Sequence, residues 1–379
     1  MSTVATNVKH VVPKVIFLAH WIESWNWLLH KNDHLHKHPE DAHRWWYWAP
    51  VYYVMSIAYL LGAKSYDIVD RFTVNNACGE TWLVRNFAWH FLNASWREQI
   101  RQRIFAAVID AQNHGATVLG FGALTKAEWL THGGKDVVDA LGTRLKIPLV
   151  HGDTLTAAVV IMQVEQLLKV FEPYAGKVFI TGATSKIGRA IVLDLARKGC
   201  HVYMYSESRE RFDDIRAEAG SAACRIFHAQ KYSDGRNVHV WITGKAEKGA
   251  GEKMLEEIPL GAAVLNFSVP DPITPRLLKR RPDLHHFDGG LMQYDPTQIT
   301  IRFTMRLKPG VTYACHAGTM VHGLERWTHH EVGPVDMEFI WHVWECAKKH
   351  GFALPRWTSH FEPVTLPGQM PLCDERDIG

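Results

Sequence analysis

The chain has 379 residues, 47% of them hydrophobic and 21% charged, with a formal net charge of +3. That length leaves room for two domains with full cores, and the composition excludes a disordered or fibrous protein. So small a net charge excludes a dedicated nucleic-acid binder, although the basic run Lys279, Arg280 and Arg281 suits an acidic protein partner.

Residues 1 to 12 read as a disordered lead. Lys14 to His20 is the first strand-like run, and Trp21 to Leu29 has helical spacing. His30, His34, His36, His38 and His43 then crowd a polar stretch. His30 and His34 would share a helix face, but Lys31, Lys37 and Pro39 interrupt it, so a solvated loop is expected and no metal site. No charged side chain occurs from Trp45 to Ala63. Pro50 splits this stretch and Trp and Tyr crowd its first half, which leaves three readings: buried core, the wall of an apolar pocket, or a shallow membrane contact.

Trp96 to Asn113 is amphipathic, with Ile100, Ile104, Phe105 and Val108 facing in and Arg97, Glu98, Arg101 and Arg103 facing out. Ala116 to Leu124 follows as a strand. A helix from Leu155 to about Phe171 is expected next, N-capped by Asp153 or Thr154.

Lys177 to Ala190 organises the second half. Val178, Phe179 and Ile180 suit a buried parallel strand, Gly182 turns the chain, and Ile187, Ile191, Val192, Leu193 and Leu195 form the stripe of a helix that Gly188 lets pack closely. Such a turn aims backbone N–H groups and a helix dipole at one point, which suits a dinucleotide pyrophosphate. The expected cofactor-binding residues are Gly182, Thr184, Ser185, Lys186, Ile187 and Gly188. Ser185 stands where a middle glycine is common, and an ordinary strand-to-helix turn is the competing reading. His201 to Tyr205, Val238 to Ile242 and Ala262 to Asn266 are further strands. After the first of these, Ser206, Arg209 and Arg211 suit the 2′-phosphate of NADPH, whereas Glu207 suits NADH.

Cys315 opens a helical run with Met320, Val321 and Leu324. A helix N-terminus favours a thiolate, and His316 and His322 stand near in sequence as proton donors; inert packing is the other reading. The six cysteines form no CxxC pair and no secretory signal peptide precedes them, so free thiols in a reducing cytoplasm are expected. Tyr232, Tyr294 and Tyr313 are followed four residues on by Arg236, Gln298 and Ala317, so no YxxxK dehydrogenase motif is present.

The stretches Trp96 to Gly122, HGDTLTAAVV at 151–160, TGATSKIGRA at 181–190, FDGG at 287–290, ACHAGTMVHGLERW at 314–327 and CAKKHGF at 346–352 carry a family resemblance. It runs from about Ile16 to Leu354. The chain resembles the cyanobacterial long-chain acyl-[acyl-carrier-protein] reductases, and also the C-terminal domain of the plant eceriferum wax-biosynthesis proteins. The reductase resemblance places a nucleophilic cysteine at Cys315 and matches Glu325 and Trp327, but has Gly318 where the reductases carry a glutamate. HGLERWTHHEVG, from His322 to Gly333, is closer to the plant proteins.

The resemblance implies reduction of a long-chain acyl thioester, on acyl-carrier protein or CoA, to fatty aldehyde by NADPH through an acyl-Cys315 intermediate. On that resemblance Thr154 and Thr156 lie near the substrate, and an aldehyde-consuming oxygenase is a partner. Two alternatives stand beside it: a non-catalytic acyl- or aldehyde-binding module of a wax or alkane pathway, and a nicotinamide-dependent dehydrogenase of a small alcohol or ketone. The expected fold is α/β, a Rossmann-like doubly wound parallel sheet over 151–310, with a smaller N-terminal α/β substrate domain over 13–150 and C-terminal helices over 311–379. A cytoplasmic location is expected, with peripheral membrane contact through 45–63 as the second reading.

Overall fold

The computed structural model describes residues 12–21, 54, 57, 59–62, 64–172, 176–244, 249–305 and 307–368. Trp21 belongs to the first strand, not to a helix; the rest of the helical reading, 22–29, and the histidine-rich stretch lie outside the described residues, as does most of 45–63. The chain forms two compact units. The first holds residues 1–151, 296–303 and 319–333, and the second holds 152–295, 304–318 and 334–379, so the segment 311–379 is divided between them.

Five strands of the first unit run in chain order: β1 (Lys14–Trp21), β2 (Tyr66–Val74), β3 (Ala77–Phe87), β4 (Val118–Phe121) and β5 (Leu149–Val150). β1 lies between β3 and β4, parallel to both, and β4 is parallel to β5. β2 returns antiparallel along β3, and the short strand Ile299–Thr300 extends the edge. A central strand is covered on both faces, which explains why β1 is one apolar run. The helix Arg97–Asn113 buries Ile100, Ile104, Ala107, Val108 and Ala111. The pattern predicts an outward-facing Arg103, but it is buried. Its guanidinium donates to the carbonyl oxygens of Arg85 (2.6 Å) and Leu60 (2.5 Å) and to Asn86 Oδ1 (3.0 Å). Charge alone misassigns the face because these acceptors come from distant sequence.

The second unit contains a six-stranded, all-parallel sheet: β6 (Lys177–Thr181), β7 (His201–Tyr205), β8 (Ile226–Ala229), β9 (Val240–Thr243), β10 (Ala263–Asn266) and β11 (His285–Asp288). Its order is β8-β7-β6-β9-β10-β11, the doubly wound arrangement in which strand order reverses between β6 and β9. Alternate side chains feed two cores. Val178, Ile180, Val240 and Ile242 point to one face, and Phe179, Trp241 and Val264 to the other. The helix Asp153–Phe171 packs against the helices Lys186–Arg197 and Ile340–Lys349. It is long and apolar enough to cross a membrane, but Leu155, Ala157, Ala158, Val159, Val160, Ile161 and Val164 are fully buried, which makes it a core helix of its unit.

Candidate functional site

In an open parallel sheet, ligands bind beyond the carboxyl ends of the strands, at the point where strand order reverses. Here that rim carries a row of buried polar side chains: Thr181 ending β6, Thr243 ending β9 and Asn266 ending β10. Thr243 Oγ1 donates to Asn266 Oδ1 at 2.8 Å, and the Gly244 N–H donates to the Thr181 carbonyl at 3.1 Å.

The glycine turn follows β6 directly. Gly182 has φ +65°, and a Cβ on Gly188 would lie 2.2 Å from the Gly182 carbonyl oxygen, so the turn needs glycine at both ends. Ser185 N-caps the helix Lys186–Arg197 by accepting from the Gly188 N–H at 3.1 Å. This explains the serine: it satisfies a helix-start donor that a glycine would leave open. Thr184 offers its carbonyl to Arg211 (2.9 Å). Lys186 Nζ lies 3.3 Å from Asp153 Oδ2, tying the turn to the start of the helix Asp153–Phe171. Ile187 is partly buried and packs against the core.

The cap of that second helix departs from expectation. Neither Asp153 nor Thr154 is the N-cap; Gly152 is, at φ +66°. A Cβ there would meet the Cys315 carbonyl oxygen at 2.3 Å, so the close approach of two backbones decides the residue. Thr154 is buried, and the Thr156 hydroxyl donates to the Gly152 carbonyl at 3.0 Å, back into its own helix. Sequence reasoning missed Gln163. It bonds the loop after β11, donating to the Asp288 carbonyl (3.2 Å) and accepting from the Gly290 N–H (3.1 Å). The run IMQVEQLL carries two amides, Gln163 and Gln166, and nothing local in the sequence separates the buried one from its neighbour.

Cys315 lies in the first turn of the helix Ala314–Leu324, partly exposed. That helix is tied to the loop after β11 by the Ala314 N–H, which donates to the Gly290 carbonyl at 2.9 Å. The second unit therefore brings together the glycine turn, residues 152–156, the 288–290 loop and Cys315. Gly318 faces Gly152 and Leu155, and a Cβ there would lie 3.3 and 3.4 Å from them, a tight position for a larger side chain.

The two histidines do not suit proton donation. His316 is fully buried, with Nδ1 3.2 Å from Thr312 Oγ1, and burial pushes its pKa down to about 3. His322 belongs to the first unit, where its Nε2–H donates to the His329 carbonyl at 3.1 Å and burial lowers its pKa to about 4. Both are neutral imidazoles at physiological pH. His322 lines a cleft of about 520 Å³ with Ile147, Pro148 and Trp327, at the amino ends of β4 and β5, whereas ligands of open α/β sheets bind outside the carboxyl ends.

At the end of β7, Ser206 turns its hydroxyl onto the Ser208 backbone (2.9 and 3.1 Å), and Arg209 pairs with Asp213 at 2.8 Å. Arg211 alone of the three reaches the glycine turn. Glu207 is exposed. In the basic run, Arg281 is turned inward onto the carbonyls of Leu255 and Ile258 and onto Asp283.

These features define the second unit as a Rossmann-type α/β fold with a glycine-turn helix start. Residues 178–354 match the family described as the CER1-like C-terminal domain, and the chain is homologous to plant very-long-chain aldehyde decarbonylases. It is 33% identical over 289 residues to the very-long-chain aldehyde decarbonylase GL1-2 of Oryza sativa subsp. indica, an alignment covering 75% of this chain and 43% of that protein. It is 26% identical over 319 residues to Protein CER1-like 2 of Arabidopsis thaliana, covering 83% and 46%. The chain spans less than half the length of the curated relatives it matches.

Among solved structures it is similar to YhdH of E. coli K-12 with bound NADPH (18% identity, 36% of this chain, 43% of that chain, TM-score 0.28). The D-arabinose dehydrogenase from Sulfolobus solfataricus is a second (11%, 36%, 44%, TM-score 0.28). Likenesses at these scores carry no argument about ligands.

The comparisons correct the leading expectation. The relatives are named for decarbonylating aldehydes, not for making an aldehyde from an acyl thioester, so acyl-thioester reduction, and with it the reductase side of the resemblance, is set aside. The relation to the plant wax proteins holds.

Proposed function

We propose that the chain serves a wax- or alkane-forming pathway as a binding module for long-chain aldehydes or acyl chains. The observation that carries this reading is the 33% identity over 289 residues to rice proteins named very-long-chain aldehyde decarbonylases. In this reading the polar head of the ligand lies by Cys315 and the 152–156 segment, where Thr154 and Thr156 shape the wall, and a partner oxygenase consumes the aldehyde. Peripheral membrane contact through 45–63 fits a ligand of such low solubility; Val54 and Leu61, described residues of that stretch, are exposed.

The residues of the 182–188 turn fit a nicotinamide dinucleotide. The helix start offers donors and a positive dipole end to a pyrophosphate, and Arg211 beside Thr184 offers a cation to an adenosine phosphate. NADPH is the cofactor this favours, with NADH as the alternative because of Glu207. When bound, the nicotinamide would supply hydride chemistry; the chain's own residues would hold and orient it.

The test is equilibrium binding of saturated aldehydes of increasing chain length to the purified chain, beside NADPH titration followed by cofactor fluorescence. Saturable binding that tightens with chain length, and no aldehyde formed from acyl thioester plus NADPH, is the expected result. Equal and weak binding at every length would sink the proposal.

A further inference from the structure

Away from the glycine turn, the second unit gathers Asp271, His286 and His360 from three separate segments. Asp271 lies in the loop after β10, His286 in β11, and His360 at the tip of the hairpin formed by Thr358–Ser359 and Glu362–Pro363. The tip is held in an unusual conformation: His360 and Phe361 have φ +50° and +69°. Two successive non-glycine residues in the left-handed region are costly and persist only when other bonds fix them. Asp288 does so, accepting from Thr358 Oγ1 (2.7 Å) and from the N–H groups of His360 (3.0 Å) and Phe361 (2.7 Å). The result lays the His360 ring on the His286 ring, centroids 4.3 Å apart and planes 8° from parallel.

The nitrogen geometry points to a cation. His286 Nδ1 is 2.8 Å from Ser359 Oγ, and the tautomer that donates Nδ1–H to this hydroxyl leaves its lone pair on Nε2. That buried Nε2 lies 2.9 Å from Asp271 Oδ2 but hydrogen-bonds to nothing. In that tautomer the lone pair faces a carboxylate oxygen, and a proton or a metal ion must supply positive charge between them. His360 Nε2 is 3.6 Å from the same Oδ2 and also 2.8 Å from the Ile273 carbonyl oxygen. Two ligands bound tetrahedrally at about 2.0–2.1 Å are roughly 3.4 Å apart, and the observed 2.9 and 3.6 Å bracket that value.

We propose that Asp271, His286 and His360 bind a zinc ion through Oδ2 and the two Nε2 atoms, with the fourth position left to water. Two imidazoles and one carboxylate suit zinc and disfavour calcium or magnesium, which take oxygen ligands. Ser359 is the outer partner that orients His286 through its other ring nitrogen. The side chains of Asp271 and His360 are 19% and 21% exposed, so the ion reaches the site from solvent, while His286 is closed off beneath. Binding displaces the His360 Nε2 proton from the Ile273 carbonyl and turns the His360 ring out of its parallel stack on His286, because both lone pairs lie in their ring planes and must converge on one ion.

The experiment is calorimetric titration of the metal-stripped full chain with zinc chloride, with thermal unfolding recorded with and without zinc. To remove binding by the histidine-rich stretch, it is done in a background carrying His34→Gln, His36→Gln and His38→Gln. One zinc per chain is expected, with a rise in Tm. His360→Gln and Asp271→Asn should each weaken binding at least tenfold and abolish the Tm rise, and Ser359→Ala should weaken it by roughly tenfold. His360 and Ser359 are on a surface hairpin, so these variants keep the test decisive if changes at His286 unfold the chain. Binding that is unchanged in His360→Gln, or no zinc-dependent Tm shift in the background protein, overturns the proposal. Equal affinity for magnesium would do so too.

Discussion

Gly152 and Cys315 meet backbone to backbone: a methyl group at 152 would lie 2.3 Å from the Cys315 carbonyl oxygen and 2.7 Å from its Cα. The start of the helix Asp153–Phe171 and the start of the helix Ala314–Leu324 are therefore registered without any side chain between them. Gly152→Ala combines left-handed backbone strain with this clash. It should cost roughly 2–4 kcal/mol in urea-unfolding stability and alter the alkylation rate of Cys315. An alkylation rate equal to wild type would show that the two segments move independently.

Gly188→Ala tests the glycine turn. The new methyl would press on the Gly182 carbonyl oxygen and widen the turn by displacing the helix Lys186–Arg197. NADPH affinity should fall tenfold or more while the far-UV spectrum of the folded chain is kept. Fluorescence titration measures the first and circular dichroism the second.

Arg103→Ala should be severe. It leaves two carbonyl oxygens and an amide oxygen without the guanidinium that serves them, at a helix face packed into the first unit's core. A loss of about 3–5 kcal/mol is expected. Arg103→Lys should not restore it, because one ammonium cannot span the same fork. Chemical denaturation of the three proteins decides the matter.

Acid should weaken the fold through its buried histidines. Burial lowers the pKa of His20 to about 4, of His316 to about 3 and of His322 to about 4, against about 6.5 in the unfolded chain. Between those values the unfolded state takes up protons that the folded state refuses. Stability is thus full above pH 6.5, falls as the pH drops towards 4, and levels off below the folded values. Each histidine accounts for on the order of 3 kcal/mol over that window. His316→Gln should flatten the slope of unfolding free energy against pH between 6.5 and 4; an unchanged slope would place the effect elsewhere.

The second sheet was legible because fully buried parallel strands are continuous apolar runs. Val178 to Ile180, His201 to Tyr205 and Ala262 to Asn266 stand within a residue or two of β6, β7 and β10. The hairpin β2–β3 went unread: Asp67, Asp70, Arg71, Glu80 and Arg85 break its apolar pattern, and the signal that remained was the Asn75-Asn76 turn, where Asn75 takes φ +49°. The glycine turn could be read because its chemistry is local. Arg103, Gln163 and the Asp271, His286 and His360 group could not, because each depends on partners brought in from remote sequence. Gly152 was visible as a glycine, but the cap falls to its polar neighbours on sequence alone because the approaching Cys315 backbone leaves no trace there.

The polypeptide passes from one unit to the other at 151/152, 295/296, 303/304, 318/319 and 333/334. Neither unit can then be cut out as a single uninterrupted piece. A fragment limited to the family match at 178–354 would lack all of β1 to β5 and the whole helix Asp153–Phe171, while retaining residues 296–303 and 319–333 that the first unit needs. A single recombination breakpoint between relatives would likewise leave at least one unit a mosaic of the two parents: the first unit for a breakpoint at 151/152, the second for one at 333/334.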